Sequence, residues 1–324
     1  MPLSSTDNIL VGGNRHLTGW DESTWGTKPG SPDYVYLPLT EYGVRLNRKR
    51  RSNRPYFGQF GVKHGKTTSG MPQGNMAGAL HGYYPATITT SLAEWIITKA
   101  FGNPASNDLP SFGVEDAQGP DLSNKQHNGL RINTFTLTGT EDDDSVLWTA
   151  DVMGKTEVSV ETAQTVPNDL EKLTEFEFPD VTLSVADSSD GVEIEMQSFQ
   201  LVRNNNLRPA YVGSRSPRHL KRTTRNTSFQ TVILKNSDTY DEAERLFING
   251  DPDAEYDLTL TLLGLHNGTA SDDYARLVIS MPRCQLVMPE DAHALEDYTR
   301  TTLNFEILKP DSASADISLV WDTV

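Results

Sequence analysis

TTSLAEWIITKAFGNP (89–104) and SDTYDEAERLFINGDP (237–252) are short amphipathic runs set inside long strand-like sequence, and they decide the architecture. Apolar residues recur at helical spacing: Leu92, Trp95, Ile96 and Ala100 in the first, Tyr240, Ala243, Leu246 and Phe247 in the second. That pattern predicts a helix with one apolar face. Thr90 or Ser91 and Asp238 or Thr239 can cap the helix starts, Gly102 and Gly250 stop them, and Pro104 and Pro252 forbid continuation. One helix per large β region predicts two related β domains, each helix plugging the outer face of its sheet.

Outward from the two helices, the chain reads as a mainly β protein of two tandem β-sandwich or barrel domains, each with one short flanking α-helix. Residues 1–32, rich in small polar residues and anchored by Trp20 and Trp25, read as an extended N-terminal arm. The first domain is expected over 33–165, a linker with Pro167 and Pro179 over 166–180, and the second domain over 181–324. In the first, strands are expected in DYVYLPL (33–39) and GVRLNRKRRSNRPYFGQFGV (43–62). The Gly-rich stretch 65–82 is not read as a strand, and 102–129 reads as a long loop of the binding or assembly kind. LRINTFTLTG (130–139) and SVLWTADVMG (145–154) alternate around the acidic turn Glu141–Asp144, a hairpin pattern. The second domain offers VTLSVAD (181–187), VEIEMQSFQLVRN (192–204), SFQTVILKN (228–236), EYDLTLTLLGL (255–265), ARLVISMPRCQLVM (275–288), TTLNFEILK (301–309) and ADISLVWDT (315–323).

Composition narrows the function. A formal charge of −16 argues against a dedicated nucleic-acid reader, which needs excess Lys and Arg. It suits a protein that stays soluble at high concentration or lets another polyanion pass. No run approaches the roughly 18 apolar residues of a membrane span, so no membrane partner is expected. The N-terminus lacks the pattern of a signal peptide, which predicts cytoplasmic synthesis and assembly. The single cysteine, Cys284, reads as a core thiol.

Catalytic chemistry has no foothold. The seven histidines, 16, 64, 81, 127, 219, 266 and 293, form no zinc spacing, and no nucleophile elbow or phosphate-binding Gly loop is present. The acidic runs Glu141–Asp144 and Asp251–Asp257 lack the ligand spacing of a calcium loop. No enzyme activity, metal or cofactor is expected. Glu193 and Glu195 alternate with Val192, Ile194 and Met196, which puts both carboxylates on one strand face. Two basic stretches stand against the acidic average: Arg48, Lys49, Arg50, Arg51 and Arg54, then Arg215, Arg218, Lys221, Arg222 and Arg225. As loop tips in an acidic assembly they would meet carboxylates of a neighbouring subunit.

FGQFGVKHGKTTSGMPQGNMAGALHG (57–82), followed by the helix ending AFGNP, resembles the first half of tail tube proteins of long-tailed bacterial and archaeal viruses. SFQLVRNNNLRPAYV (198–212) is similar to the Asn-ended strand that longer members carry past mid-chain, and ESTWGTKPG (22–30) and the acidic-turn hairpin agree. The resemblance implies a structural virion protein with two tail-tube-type domains. It implies self-association into three-subunit rings of pseudo-six-fold symmetry, or alternatively six-subunit rings, stacked into a hollow tube for genome ejection. Its partners would be the tape measure, tail terminator and tail tip proteins, with DNA passing non-specifically. On that reading Glu193 and Glu195 are candidate lumen carboxylates. Arg48, Lys49, Arg50, Arg51, Arg54, Arg218, Lys221, Arg222, Trp20 and Trp25 are candidate subunit or ring contacts.

Two other readings remain at this level. A capsid or decoration protein would share the acidity and lack of motifs, although shells use a long spine helix. A carbohydrate-binding β-sandwich would use Trp20, Trp25, Trp95, Trp148 and Trp321.

Overall fold

Alternating apolar and polar residues become long antiparallel strands. The computed structural model describes residues 16–53, 64–83, 92–102, 108–117, 124–161, 173–187, 190–234, 255–264, 275–287, 290–292, 300–309 and 316–323. The first half holds β1 (His16–Glu22), β2 (Tyr34–Tyr36), β3 (Glu41–Tyr42), β4 (Arg45–Asn53), β5 (His64–Ala79), β6 (His81–Tyr83), α1 (Leu92–Phe101), β7 (Ser111–Ala117), β8 (Asn124–Thr140), β9 (Asp143–Met153) and β10 (Thr156–Val160). The second holds β11 (Leu173–Asp187), β12 (Asp190–Ile194), β13 (Met196–Asn204), β14 (Leu207–Ala210), β15 (His219–Arg222), β16 (Asn226–Leu234), β17 (Glu255–Gly264), β18 (Ala275–Leu286), β19 (Glu290–Ala292), β20 (Arg300–Ile307) and β21 (Ser318–Thr323). The expected second helix, 237–252, lies outside the described residues.

Strand pairing runs across the two halves of the sequence. β8 pairs with β9 on one side and with β13 on the other, so Leu137 lies opposite both Trp148 and Leu201. From β13 the pairing passes to β16, β20, β18, β17 and β11, and returns to β9 through Glu177 opposite Ser145. The ladder closes on itself as a barrel. Inside, Phe178, Phe199, Phe229 and Phe305 form a file with successive ring centroids 6.2, 6.5 and 6.4 Å apart, spacings at which aromatic pairs add to plain burial. Residues 173–180, within the stretch read as a linker, form the first half of β11.

A second layer, β2–β1–β7 and the first half of β8 with β10, turns away from the barrel where Gly129 takes φ +71°. The helix α1 fills the angle between the layers. Trp95 meets Phe112 of β7 edge-on at 5.1 Å, and Phe101 meets Phe135 of β8 at 6.2 Å. The spacing predicts one wet face, but eight of the ten helix residues are buried, because sheet lies on both sides. Even Lys99 is buried; its ammonium reaches Asp21 at 2.8 Å. The stop is as predicted: Gly102 takes φ +66° and its N–H donates to the Thr98 carbonyl at 2.8 Å. The Asn205 side-chain amide donates to the Ala100 and Ile132 carbonyls at 2.9 and 3.1 Å, which ties the helix end to the barrel.

Three sequence expectations are revised. The Gly-rich stretch 65–82 is mostly β5, a 16-residue strand between β4 and β9. Its glycines answer to close backbone approach: a Cβ on Gly74 would lie 2.3 Å from the Gly43 carbonyl oxygen. The long loop 102–129 contains β7, whose seven residues are all buried between β1 and β8. The N-terminal arm includes β1, an inner strand with Trp20 at 0% exposure.

Candidate assembly and conduit surfaces

Across β5, β9, β8, β13, β16 and β20, register aligns mainly polar residues in rows on the side away from the barrel core. One row reads Ala79, Leu147, Thr138, Gln200, Gln230 and Asn304 across β5, β9, β8, β13, β16 and β20. The next reads Ala77, Thr149, Thr136, Val202, Ser228 and Glu306, and a third reads Asn75, Asp151, Thr134, Asn204 and Asn226. These rows contain carboxylates and no Lys or Arg. Period-two alternation dictates the arrangement, since the residues between them fill the barrel core.

Exposed charge is concentrated by sign at the two ends of the same strands, with Arg300 3.9 Å from Glu141 at the acidic end and Glu157 at the root of the basic one. At one end lie the β8–β9 turn, the bend in β11 and the β12–β13 junction. The Glu141 N–H donates to the Gln197 carbonyl at 3.0 Å, and the Ser145 hydroxyl donates to Glu175 at 2.7 Å. Glu193 lies opposite Ser184, and both Glu193 and Glu195 are exposed. With Phe178, Pro179, Val181, Thr182, Ile194 and Met196 they line a groove of about 390 Å³. The register shift between Phe176 and Val181, beside Pro179, opens it.

At the other end, β4 and β5 continue as a hairpin past the last β5–β9 pair, Gln73 with Met153. Arg48 is exposed opposite Gly70, and Lys49, Arg50 and Arg51 follow on β4. Arg54 lies outside the described residues. The second basic stretch arrives at the same place. β14 and β15 form a small hairpin carrying exposed Arg218 and Lys221 and half-buried Arg222, and the Gly70 N–H donates to the Arg215 carbonyl at 2.8 Å. Two stretches that look unrelated in the sequence thus form one basic end.

The root of the long hairpin rests on a polar network. The Leu46 N–H donates to Glu157 Oε2 at 2.9 Å, and that oxygen lies 3.2 Å from His127 Nε2. His127 Nδ1 sits 2.7 Å from the Tyr42 hydroxyl. A neutral imidazole fits, donating from Nε2 and accepting at Nδ1. Burial pushes the His127 pKa down, and the neighbouring Glu157 carboxylate pulls against it.

The two tryptophans read as contact anchors are placed within the chain. Trp20 packs edge-on to Tyr34 with the Lys28 ammonium 4.8 Å from its ring. Trp25 donates from Nε1 to the Gly129 carbonyl at 2.9 Å, with Lys155 and Arg131 over its ring at 4.8 and 5.6 Å. Glu22 beneath accepts the Gly26 and Gly129 N–H groups at 2.7 and 2.8 Å. Burial raises its pKa against those bonds.

Sequence reading missed one cluster altogether. Arg203, fully buried, donates to Thr227 and Asp316 and stacks 5.2 Å over the Phe101 ring, while Arg225 lies 3.5 Å from Asp316. Burial lowers the Arg203 pKa and the Asp316 carboxylate opposes this. The Asn run after Arg203 carried a hint, since such a strand end sits where backbone groups need side-chain partners.

Among the described residues no group of three or more His, Cys, Asp or Glu is placed to hold a metal ion, and no helix is long and apolar enough to cross a membrane. The fold and its surfaces define a mainly β protein, with a closed strand ladder and mainly polar outer rows. The family model described as phage tail tube protein matches residues 13–286, and the chain belongs to that family. It is therefore a structural protein of the viral tail, and the family implies self-assembly into a tube with other tail proteins. No curated protein matches the chain.

Proposed function

We propose that the chain polymerises into rings of three subunits, its two halves occupying quasi-equivalent positions, and that stacked rings form the conduit through which the genome is ejected. The division at 33–165 and 181–324 belongs to this reading: β8 and β13, one from each half, lie side by side as neighbouring ring positions would. Assembly in the host cytoplasm, with tape measure, terminator and tip proteins at the tube's core and ends, completes it.

The polar rows across β9, β8, β13, β16 and β20 carry the proposal. DNA holds each Lys or Arg it meets by releasing counterions, so a wall for rapid passage presents neutral or acidic groups. Thr136, Thr138, Gln200, Gln230 and Asn304, with Asp151 and Glu306, are such a wall. Glu193 and Glu195, expected as lumen carboxylates, belong in this proposal to the mouth of each ring rather than to mid-wall.

Negative-stain images and native mass of the purified protein test the assembly, three copies per ring being expected and six overturning the stoichiometry. Virions carrying Thr138→Lys with Gln200→Lys test the wall. Normal tubes with slowed DNA release are expected, and unchanged release places these rows away from the channel.

A further inference from the structure

Where the end of α1 meets the barrel, buried positive charge exceeds the carboxylates that face it. Arg203 follows Phe199 and Leu201 on the inward side of β13, in register with Phe135 of β8 and Thr227 of β16, at 0% exposure. Its Nη1 donates to the Thr227 hydroxyl and to Asp316 Oδ2. The other edge of the guanidinium, Nε with Nη2, is equally enclosed and meets no acceptor among the described residues. Those two N–H groups run parallel, the fork that grips two oxygens of one oxyanion. An enclosed charged donor is costly to leave unbonded, so this edge marks a place for an acceptor. The Phe101 ring, 5.2 Å away, covers one face of the guanidinium and holds the fork in place.

Two more guanidiniums stand around the same carboxylate. Arg225, between β15 and β16, brings Nη1 to 3.5 Å from Asp316 Oδ1. Arg222, the last residue of β15, is half-buried; burial, Arg203 and Arg225 lower its pKa, and Asp316 and Asp108 oppose them. Asp108 is mostly exposed and lies 3.9 Å from Arg131, so its charge is shared. Three guanidiniums around one enclosed carboxylate leave an excess of two positive charges.

We propose that this cluster binds a small, doubly charged oxyanion of the phosphate or sulfate class, held side-on by Nε and Nη2 of Arg203 between Arg222 and Arg225. The two half-buried arginines are the movable wall: the ion enters between them and they close over it. A dianion matches the excess charge, and a fixed fork prefers an ion with several oxygens to chloride. The occupied site joins the end of α1, β13, β15 and the segment before β21, and so stabilises the folded chain by mass action. DNA carries the same phosphate group, but an enclosed fork suits the free ion and not a polymer.

Titration calorimetry of the wild-type chain with sodium phosphate tests the site, with pH fixed and sodium chloride holding the ionic strength constant. A saturating heat with one ion per chain is expected, and sulfate should compete. Arg203→Lys keeps the charge but removes the fork, and should weaken phosphate binding about tenfold or more. Arg225→Gln leaves the Arg203–Asp316 pair in place and should weaken it as well. The melting temperature of the wild type should rise with phosphate and level off. Both variants should show only the gradual, unsaturating rise that excluded salts give to any protein. A wild type without saturable binding overturns the proposal, as does Arg203→Lys binding phosphate as tightly as the wild type. Where Arg203→Lys does not fold, Arg225→Gln decides on the same terms. A short oligonucleotide is expected not to displace phosphate, and displacement overturns the assignment to the free ion.

Discussion

Gly139 on β8 lies directly opposite Phe199 on β13, and a Cβ built on it would come within 2.5 Å of the Phe199 ring and 2.8 Å of the Phe178 ring. The seam between the two halves of the sequence is therefore closed by an aromatic file packed onto a residue without a side chain. Gly139→Val is expected to destabilise the protein by about 1–3 kcal/mol through overpacking. Gly30→Ala, at a position with nothing within 4 Å, should change little. Urea unfolding of both variants checks the pair, and equal midpoints would contradict the packing.

The buried pair Arg203 and Asp316 joins β13 to the segment that leads into β21. Asp316→Asn leaves a buried guanidinium without its counter-charge and should cost about 3–5 kcal/mol. Arg203→Met combined with Asp316→Leu should cost clearly less, since neither charge then stays unpaired. A double-mutant cycle by chemical denaturation gives the coupling; additive losses would show that the two residues act independently.

Acid sensitivity should trace in part to His127. Its folded pKa lies below the ordinary value of 6.5, so the unfolded chain binds the proton more readily. The contribution is fully present above about pH 6.5 and is lost as pH falls below that value toward the depressed folded one. Tyr42, Glu157, Asp116 and Lys125 are the titratable groups around the ring. Unfolding free energy should fall more steeply between pH 7 and 5 in the wild type than in His127→Gln. Parallel slopes would refute the assignment.

Cys284 should be inert in the native protein. The thiol is buried, donates to the Met281 carbonyl at 3.4 Å, and has its pKa pushed up to about 12 by burial and by nearby Asp257. Labelling with a thiol reagent at pH 8 should proceed only in denaturant. Rapid labelling of the folded chain would place the residue at the surface instead.

The legible parts of the fold are those written in short-range pattern. Leu92, Trp95, Ile96 and Ala100 with the stop at Gly102 specify α1, and the alternation either side of Glu141 specifies the β8–β9 hairpin. β5 was not legible: its glycines, Pro72 and Asn75 are residue types depleted in strands, and the reason for Gly74 is the Gly43 backbone arriving from another strand. β7 was hidden in the same way, its Ser111, Glu115 and Asp116 being buried polar residues whose environment comes from β1 and β8. Both basic stretches were visible as composition, but nothing local placed Arg215 beside Gly70.

By itself the sequence determined the mainly β class, the first helix and its end, the acidic balance and the family resemblance, because each depends on residue types a few positions apart. Only the tertiary structure decided that the ladder closes, that Arg203 finds Asp316 113 residues away, and that exposed charge is concentrated by sign at opposite ends of the same strands. Strand order and register are set by long-range pairing, where the free energy of one contact depends on chain segments that no local pattern records.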